Sequence, residues 1–340
     1  MTVGWAIIGI GKLSDVAIAP AIDRQPDSEL VAVCSRSLER ATSFAQRHGD
    51  PLPFTDYDAM LSDDRVDVVY IATPNALHVD HMVAAAAAGK HVLVDKPMAL
   101  SVDDGQRMIA AAEAHGIEFA VGFQLRHKRT NRAARDAIAQ GRIGPPSLYE
   151  MSVGAGKDHF PYDTWRSDPR LAGGGTVLNQ GTHVIDLVQF LAGSPIVEVT
   201  CFTDSSSNSG AAATAALGPA EEVAVISCRL ANGALASLSS NQVIGGTPRN
   251  WLAVASNGWL EGKGALAAPP GDEVVLHTAA AADVVATGTT NAYDEEVAAF
   301  ARAVMGFAPV NGTGDDGLRT IAVADALYRS AAEGRAVAVL

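Results

Sequence analysis

Two stretches of this sequence carry residue types able to exchange a proton with a ligand. The first is His91–Leu100, HVLVDKPMAL. It reads as a short buried strand, His91 to Val94, followed by a turn holding Asp95, Lys96 and Pro97. Open α/β sheets bind ligands at the carboxyl ends of their strands, and that is where this lysine would stand. Pro97 fixes φ and removes a backbone donor, so the turn is stiff. Position alone equally allows a solvated loop lysine. The second stretch runs from the glycine triplet Gly173-Gly174-Gly175 through Asn179 and His183 to Asp186. A glycine triplet lets backbone pass close to something bulky or adopt positive φ. Asn179 and His183 share a face if a helix begins near Asn179. Histidine titrates near pH 6.5 and lysine near 10.4, about four units apart. To accept a proton near neutrality, Lys96 would need a shift of roughly three units from burial and nearby charge. His183 would need almost none.

Those residues need elements to position them. Val3 to Ile8 is an unbroken apolar run, as in a strand buried on both faces. Gly9-Ile10-Gly11-Lys12-Leu13-Ser14 and a helical stretch to about Ile22 follow. Strand, glycine turn and helix form the setting in which G-x-G-x-x-G binds a dinucleotide. Gly9 allows the tight turn, and Gly11 lets backbone approach a pyrophosphate at the helix N-terminus. Ser14 replaces the usual third Gly or Ala, so packing there must tolerate a hydroxyl; an ordinary glycine turn is the alternative. The second strand, Glu29 to Cys34, ends in Ser35-Arg36-Ser37. An NAD site usually places an acid here for the ribose 2′-hydroxyl. Two hydroxyls and a guanidinium, with Arg40 one turn on, suit a 2′-phosphate instead. The cofactor is therefore read as NADP, with NAD possible and a solvated basic corner as the alternative.

Further strands, a short one near Leu52–Phe54, Asp67–Ala72 ending in Thr73-Pro74-Asn75 and Ile117–Val121, alternate with helices Leu38–His48, Leu77–Ala88 and Val102–His115, the last capped by Ser101. Residues 1–122 thus read as a Rossmann-type, doubly wound parallel sheet. The rhythm changes after Gly122. A polar, basic run, Gln124–Lys128, precedes a helix, Thr130–Gln140. Then come β-like segments at Leu148–Val153, Ile196–Phe202, Val223–Leu230, Ala234–Asn241, Trp251–Ala255 and Val274–Leu276, several alternating as half-buried antiparallel strands do. Helices Gly181–Ala192, Ala292–Met305 and Asp315–Ala332 complete a second, α+β domain over residues 123–340. Asp204–Pro219, rich in Ser, Ala and Gly, reads as a mobile loop.

The chain's 340 residues favour two domains over one core. A net charge of −13, from 25 basic and 38 acidic residues, argues against nucleic acid or an anionic membrane as partner. Cys34, Cys201 and Cys228 have no metal-ligand spacing and read as reduced thiols of a cytoplasmic protein. An apolar strand begins almost at the N-terminus, so no signal-peptide pattern is expected.

With Asp95-Lys96-Pro97, Thr73-Pro74-Asn75 and the Gly173–Asp186 stretch together, the sequence strongly resembles the glucose–fructose oxidoreductase, inositol dehydrogenase and rhizopine-catabolism family (Gfo/Idh/MocA). The resemblance spans essentially the whole chain, including Tyr293, Glu296, Phe300, Asp315–Leu318 and Ala326–Ser330. It implies a dinucleotide-binding domain followed by an open, largely antiparallel sheet through which homodimers or homotetramers form. It implies hydride transfer between a nicotinamide cofactor and a secondary alcohol or ketone of a sugar or cyclitol. By resemblance, the cofactor would be held by Gly9, Gly11, Lys12, Leu13, Ser35, Arg36, Arg40, Thr73, Pro74, Asn75, His78, Asp95 and Lys96. Lys96 falls on the family's signature lysine and His183 on its catalytic histidine. With the pKa argument, His183 becomes the acid/base and Lys96 the group that binds and polarises the reacting oxygen. Asn179 would orient substrate or histidine. Trp165 and Arg166 would line the sugar pocket; Gln124, Arg126, Lys157 and Asp168 are weaker candidates. His127 and His159 are expected at the surface. Two departures stand out: Asp95 replaces the family's Glu, and Asn179 its usual Asp. Nucleotide-sugar 3-dehydrogenation, cofactor-assisted glycoside cleavage and non-catalytic regulation remain alternatives.

Overall fold

The computed structural model describes residues 2–156, 164–205, 220–245 and 247–340. Lys157, His159 and residues 206–219 of the expected Asp204–Pro219 loop lie outside the described residues. The chain forms two compact units, Met1–Gln124 with Ala292–Leu318 and Leu125–Asn291 with Arg319–Leu340.

The first unit is built on six parallel strands: β1 (Val3–Ile8), β2 (Ser28–Cys34), β3 (Leu52–Phe54), β4 (Val68–Ile71), β5 (His91–Asp95) and β6 (Phe119–Gly122). Their order is β3-β2-β1-β4-β5-β6, so the direction of winding reverses between β1 and β4. Helices α1 (Ala19–Asp23), α2 (Leu38–Arg47), α3 (Tyr57–Leu61), α4 (His78–Ala87) and α5 (Val102–His115) alternate with the strands. The apolar runs become strands because both sheet faces are covered, leaving every residue of β1 and β4 buried. Ser37, Asp56 and Ser101 cap α2, α3 and α5 by accepting backbone N–H bonds. One core gathers Trp5, Ile7, Val33, Phe44, Tyr70 and Leu93 with Val297 and Phe300, which arrive on a helix from late in the chain, Ala292–Val304.

The second unit begins with α6 (Gln124–His127), whose first residue closes the first unit, and α7 (Arg129–Ala139). Strand β7 (Pro146–Gly154) and helices α8 (Pro169–Ala172) and α9 (Thr182–Ala192) follow. Then come β8 (Ile196–Asp204), β9 (Val223–Leu230), β10 (Leu235–Asn241), β11 (Trp251–Ala255), β12 (Gly258–Lys263), β13 (Glu273–His277) and β14 (Ala282–Thr287). Helix α10, the Ala292–Val304 segment, belongs to the first unit; α11 (Gly314–Glu333) belongs to the first unit up to Leu318 and to the second from Arg319, and β15 (Val337–Ala338) ends the fold. The nine strands order as β14-β13-β12-β11-β7-β10-β9-β8-β15. All pairs are antiparallel except β7 with β10. Three of these strands have no counterpart among the expected segments. In β12, Gly262 stands where any Cβ would run into the Trp251 indole, so glycine breaks the alternation. Strand β14 is a mostly exposed edge, and β15 is only two residues long.

The expected surface position of His127 requires correction, and its polar neighbours share its environment. Gln124, Arg126, His127 and Lys128 are all buried. Burial is tolerated because the charges are paired: Arg126 bonds Asp186 at 2.6–2.8 Å. Lys128 Nζ meets Asp272 at 2.9 Å and donates to the carbonyls of Ala267 and Pro269. His127, expected at the surface, is 3% exposed. Burial, helped by Arg132 and Arg126, pushes its pKa down to about 3, so it is neutral near pH 7.

Candidate active site

In the first unit, the expected cofactor residues gather at one end of the parallel sheet, because each follows the carboxyl end of a strand. Gly9 leaves β1 with φ +95°, and a Cβ there would lie 2.6 Å from Thr73 N and closer still to the Ala72 carbonyl. Only glycine fits this approach of β1 to β4. The turn feeds a π-helical turn, Ser14–Ile18, that leads into α1. The Ser14 hydroxyl is fully buried and donates to the Gly9 carbonyl at 2.7 Å, so the unusual third residue ties the turn to the helix. Gly11 and Lys12 are exposed, and no atom lies within 4 Å of where a Gly11 Cβ would stand. Leu13 packs its side chain on the core. After β2, Ser35 is half-buried, while Arg36 and Arg40 are exposed. The open space above Gly11 and the two guanidinium-bearing residues beyond β2 fit a phosphorylated dinucleotide.

After β4, Thr73 is buried, and its Oγ1 lies 3.1 Å from His81 Nδ1. Pro74 and Asn75 lead into a 3₁₀ turn, Asn75–Leu77. His78 is 1% exposed, with Nδ1 2.9 Å from the Pro97 carbonyl and Nε2 3.0 Å from the Thr73 carbonyl. Burial lowers its pKa, while Asp95 and the carbonyls oppose the shift. Its ring nitrogens are therefore directed at the backbone, where they link the Thr73 and Lys96 turns. Asp95 Oδ1 accepts the Lys96 N–H at 2.9 Å, closing the turn locally. Lys96 itself is half-buried. Gln124 donates its amide to the Tyr293 hydroxyl at 3.2 Å.

In the second unit, Thr164 caps a 3₁₀ turn, Trp165–Ser167, and the Arg166 guanidinium lies 4.5 Å above the Trp165 ring. Asp168 caps α8 and pairs with Arg170 at 2.7 Å, so it serves the turn. Arg126 is likewise held by Asp186. A π-helical turn, Val177–Gly181, continues into α9. From Gly175 to Leu191 every residue is buried except Asn179 and His183, both half-buried. The four-residue spacing thus gives one polar, accessible stripe on an otherwise enclosed helix.

The glycine triplet is explained from within the protein. Gly173 ends α8 with φ +82°. A Cβ on Gly174 would strike the Tyr328 hydroxyl, and one on Gly175 the Glu221 backbone. The Glu221 carboxylate accepts the N–H groups of Gly175 at 3.0 Å and Val177 at 2.9 Å, and the Tyr328 hydroxyl at 2.9 Å. Sequence reasoning missed Glu221. The triplet signalled a bulky neighbour, and the Glu221-Glu222 pair before β9 gave no hint that its first carboxylate is buried.

Among the described residues, no helix is long and apolar enough to cross a membrane. The chain is similar to the 1,5-anhydro-D-fructose reductase of Ensifer adhaerens, 29% identical over 98% of each chain. It is similar to D-xylose 1-dehydrogenase (NADP(+)) 2 of Haloferax volcanii, also 29% identical over 98% of each. The crystal structure of the Caulobacter crescentus aldose-aldose oxidoreductase, complexed with glycerol, superposes with a TM-score of 0.90 at 26% identity, covering 99% of this chain and 100% of that one. Residues 3–123 match the model of the oxidoreductase family with an NAD-binding Rossmann fold, and residues 131–261 the GFO/IDH/MocA C-terminal domain. With the sheet order, the glycine turn and these matches in agreement, the chain belongs to the GFO/IDH/MocA family and is an NAD(P)-binding oxidoreductase.

Proposed function

We propose that this protein transfers a hydride between NADP(H) and a secondary alcohol or ketone of a sugar or cyclitol. The observation that carries the reading is the Asn179–His183 stripe, the only accessible part of a helix buried from Gly175 to Leu191. Sugar-acting relatives, one of them named for NADP, support it. When bound, the nicotinamide cofactor supplies the hydride donor or acceptor. The turns at Gly9–Leu13, Ser35–Arg36 and Thr73–Asn75 would hold it, with Arg36 and Arg40 facing the 2′-phosphate and Asp95 holding the turn that presents Lys96. His183 accepts the hydroxyl proton during oxidation and returns it during reduction. Lys96 hydrogen-bonds and polarises the reacting oxygen, and Asn179 orients the substrate. Trp165 offers an aromatic face for the sugar ring, with Arg166 donating to hydroxyls. A screen of sugars, cyclitols and their keto forms with NADP⁺ and NADPH, followed at the nicotinamide absorbance band, tests this reading. Turnover confined to substrates without a polyol or sugar framework would overturn it.

The same reading includes a homo-oligomer through the second unit's sheet. Phe202, Val225, Leu235 and Trp259 lie on one sheet face and are 41–72% exposed. Helices α7 and α9 pack against the sheet. A second copy covering the exposed row would remove this apolar surface from water. Sedimentation showing only monomer at micromolar concentration would contradict it.

A further inference from the structure

We infer that Glu221, braced by Tyr328, is the positioning residue that sets the Asn179–His183 segment in its working register; this rests on the role proposed for His183. Helical segments begin with unsatisfied backbone N–H groups. Here Gly175 and Val177 donate theirs to the Glu221 carboxylate, and Thr176 donates to the Glu221 backbone carbonyl at 2.8 Å. One residue therefore receives three consecutive donors just where the π-helical turn starts. Asn179 lies within that turn, its N–H bonded to the Gly175 carbonyl at 3.0 Å, and His183 follows in the first turn of α9. Glu221 is 7% exposed. Burial raises its pKa, while the Val177 and Gly175 N–H groups and the Tyr328 hydroxyl pull it back. A negative charge at a helix start is favourable. The glycines at 174 and 175 exist for this clamp, because any side chain there would displace Tyr328 or Glu221. The carboxylate thus converts a flexible glycine run into a fixed helix entry.

Glu221→Gln keeps the shape but faces an amide NH₂ toward backbone donors that it cannot satisfy. Two readouts on the full chain test the inference. The first is steady-state kinetics: kcat should fall by as much as about 100-fold with KM little changed, as a small misplacement of the catalytic group predicts. The second is the titration of the His183 ring followed by NMR in isotope-labelled protein, whose midpoint should move. Tyr328→Phe, which removes one hydrogen bond, should shift both in the same direction by less, and it serves if Glu221→Gln does not fold. A merely structural role would lower Tm yet leave kcat and the His183 titration of the folded variants at wild-type values, and that result overturns the inference. The NMR readout needs no substrate. An active His183→Ala enzyme would sink the catalytic role of His183, while a moved His183 titration would still uphold the positioning by Glu221.

Discussion

Substituting alanine at Gly9 and at Gly11 should separate the two roles of the glycine turn. At Gly9 the backbone has φ +95°, where an L side chain is strained by about 1–2 kcal/mol. Its Cβ would also meet Thr73 N at 2.6 Å against an ordinary contact of 3.4 Å, and the Ala72 carbonyl closer still, so the ends of β1 and β4 must part by at least about 0.8 Å. Both neighbours are backbone in a closely packed core, which relaxes poorly. The combined penalty is roughly 2–4 kcal/mol, a fall in Tm of at least about 4 °C. Gly11 is the opposite case, since its Cβ would enter open space and its φ is not in the left-handed region. Gly11→Ala should therefore keep the wild-type Tm. The added methyl would instead occupy the volume a pyrophosphate needs, weakening NADPH binding about tenfold or more, worth about 1.4 kcal/mol. Differential scanning calorimetry and a fluorescence titration of NADPH on both variants make the comparison. Tight NADPH binding by Gly11→Ala would refute the cradle, and an unchanged Tm in Gly9→Ala would refute the strand-end packing.

Other perturbations read out other parts of the site. Arg36→Ala should weaken NADP binding by roughly 1.5–3 kcal/mol and leave NAD binding unchanged; equal or better kcat/KM with NAD in the wild type would contradict NADP preference. Lys96→Ala and His183→Ala should each reduce turnover about 10²–10⁴-fold with cofactor binding retained, and the double variant should be little worse than either. Full activity in both single variants would remove the proposed catalytic pair. Asn179→Asp should preserve activity and move the pH profile upward, because a nearby carboxylate favours protonated histidine; steady-state rates across pH check the direction. His127 has a folded pKa of about 3, below its unfolded value near 6.5, so its contribution is complete above that value and is lost as pH falls toward 3. His127→Leu should flatten this acid limb by up to about 1.4 kcal/mol per pH unit in denaturant melts, and an unchanged slope would exclude His127 as its source.

The parallel sheet was legible because strands covered on both faces are apolar without interruption, as in β1 and β4. The turns at Gly9–Leu13, Ser35–Ser37, Thr73–Asn75 and Lys96 were legible as strand ends because they follow the segments that form β1, β2, β4 and β5. The buried character of Arg126, His127 and Lys128 was not, since charged side chains signal solvent until their partners are known. Those partners, Asp186 and Asp272, come from distant segments that only the folded chain brings near. Strand β12 was hidden for a different reason: Gly262 makes room for Trp251, and that erases the two-residue alternation. The glycine triplet did announce a close approach. What approaches is Tyr328 and Glu221, residues whose own local patterns suggest an ordinary helix face and a strand start.

A common device holds the proposed site residues in each unit. The turn carrying Lys96 and the turn carrying Thr73 are joined by His78, a buried histidine directed at one carbonyl from each. The segment carrying Asn179 and His183 is entered through backbone donors gathered by Glu221, a buried carboxylate. In both cases a buried polar side chain fixes buried backbone next to which a half-buried residue stands. Loops otherwise lose precision because few contacts restrain them. Buried polar groups restrain them strongly, because leaving such a group unpaired costs about 1–3 kcal/mol. The half-exposed positions Lys96, Asn179 and His183 can then differ in chemistry without loosening their supports. On the proposed roles, the change from a carboxylate to Asn179 would alter proton handling at His183, while Glu221, bonded to Gly175, Thr176 and Val177, would still set the entry to that segment.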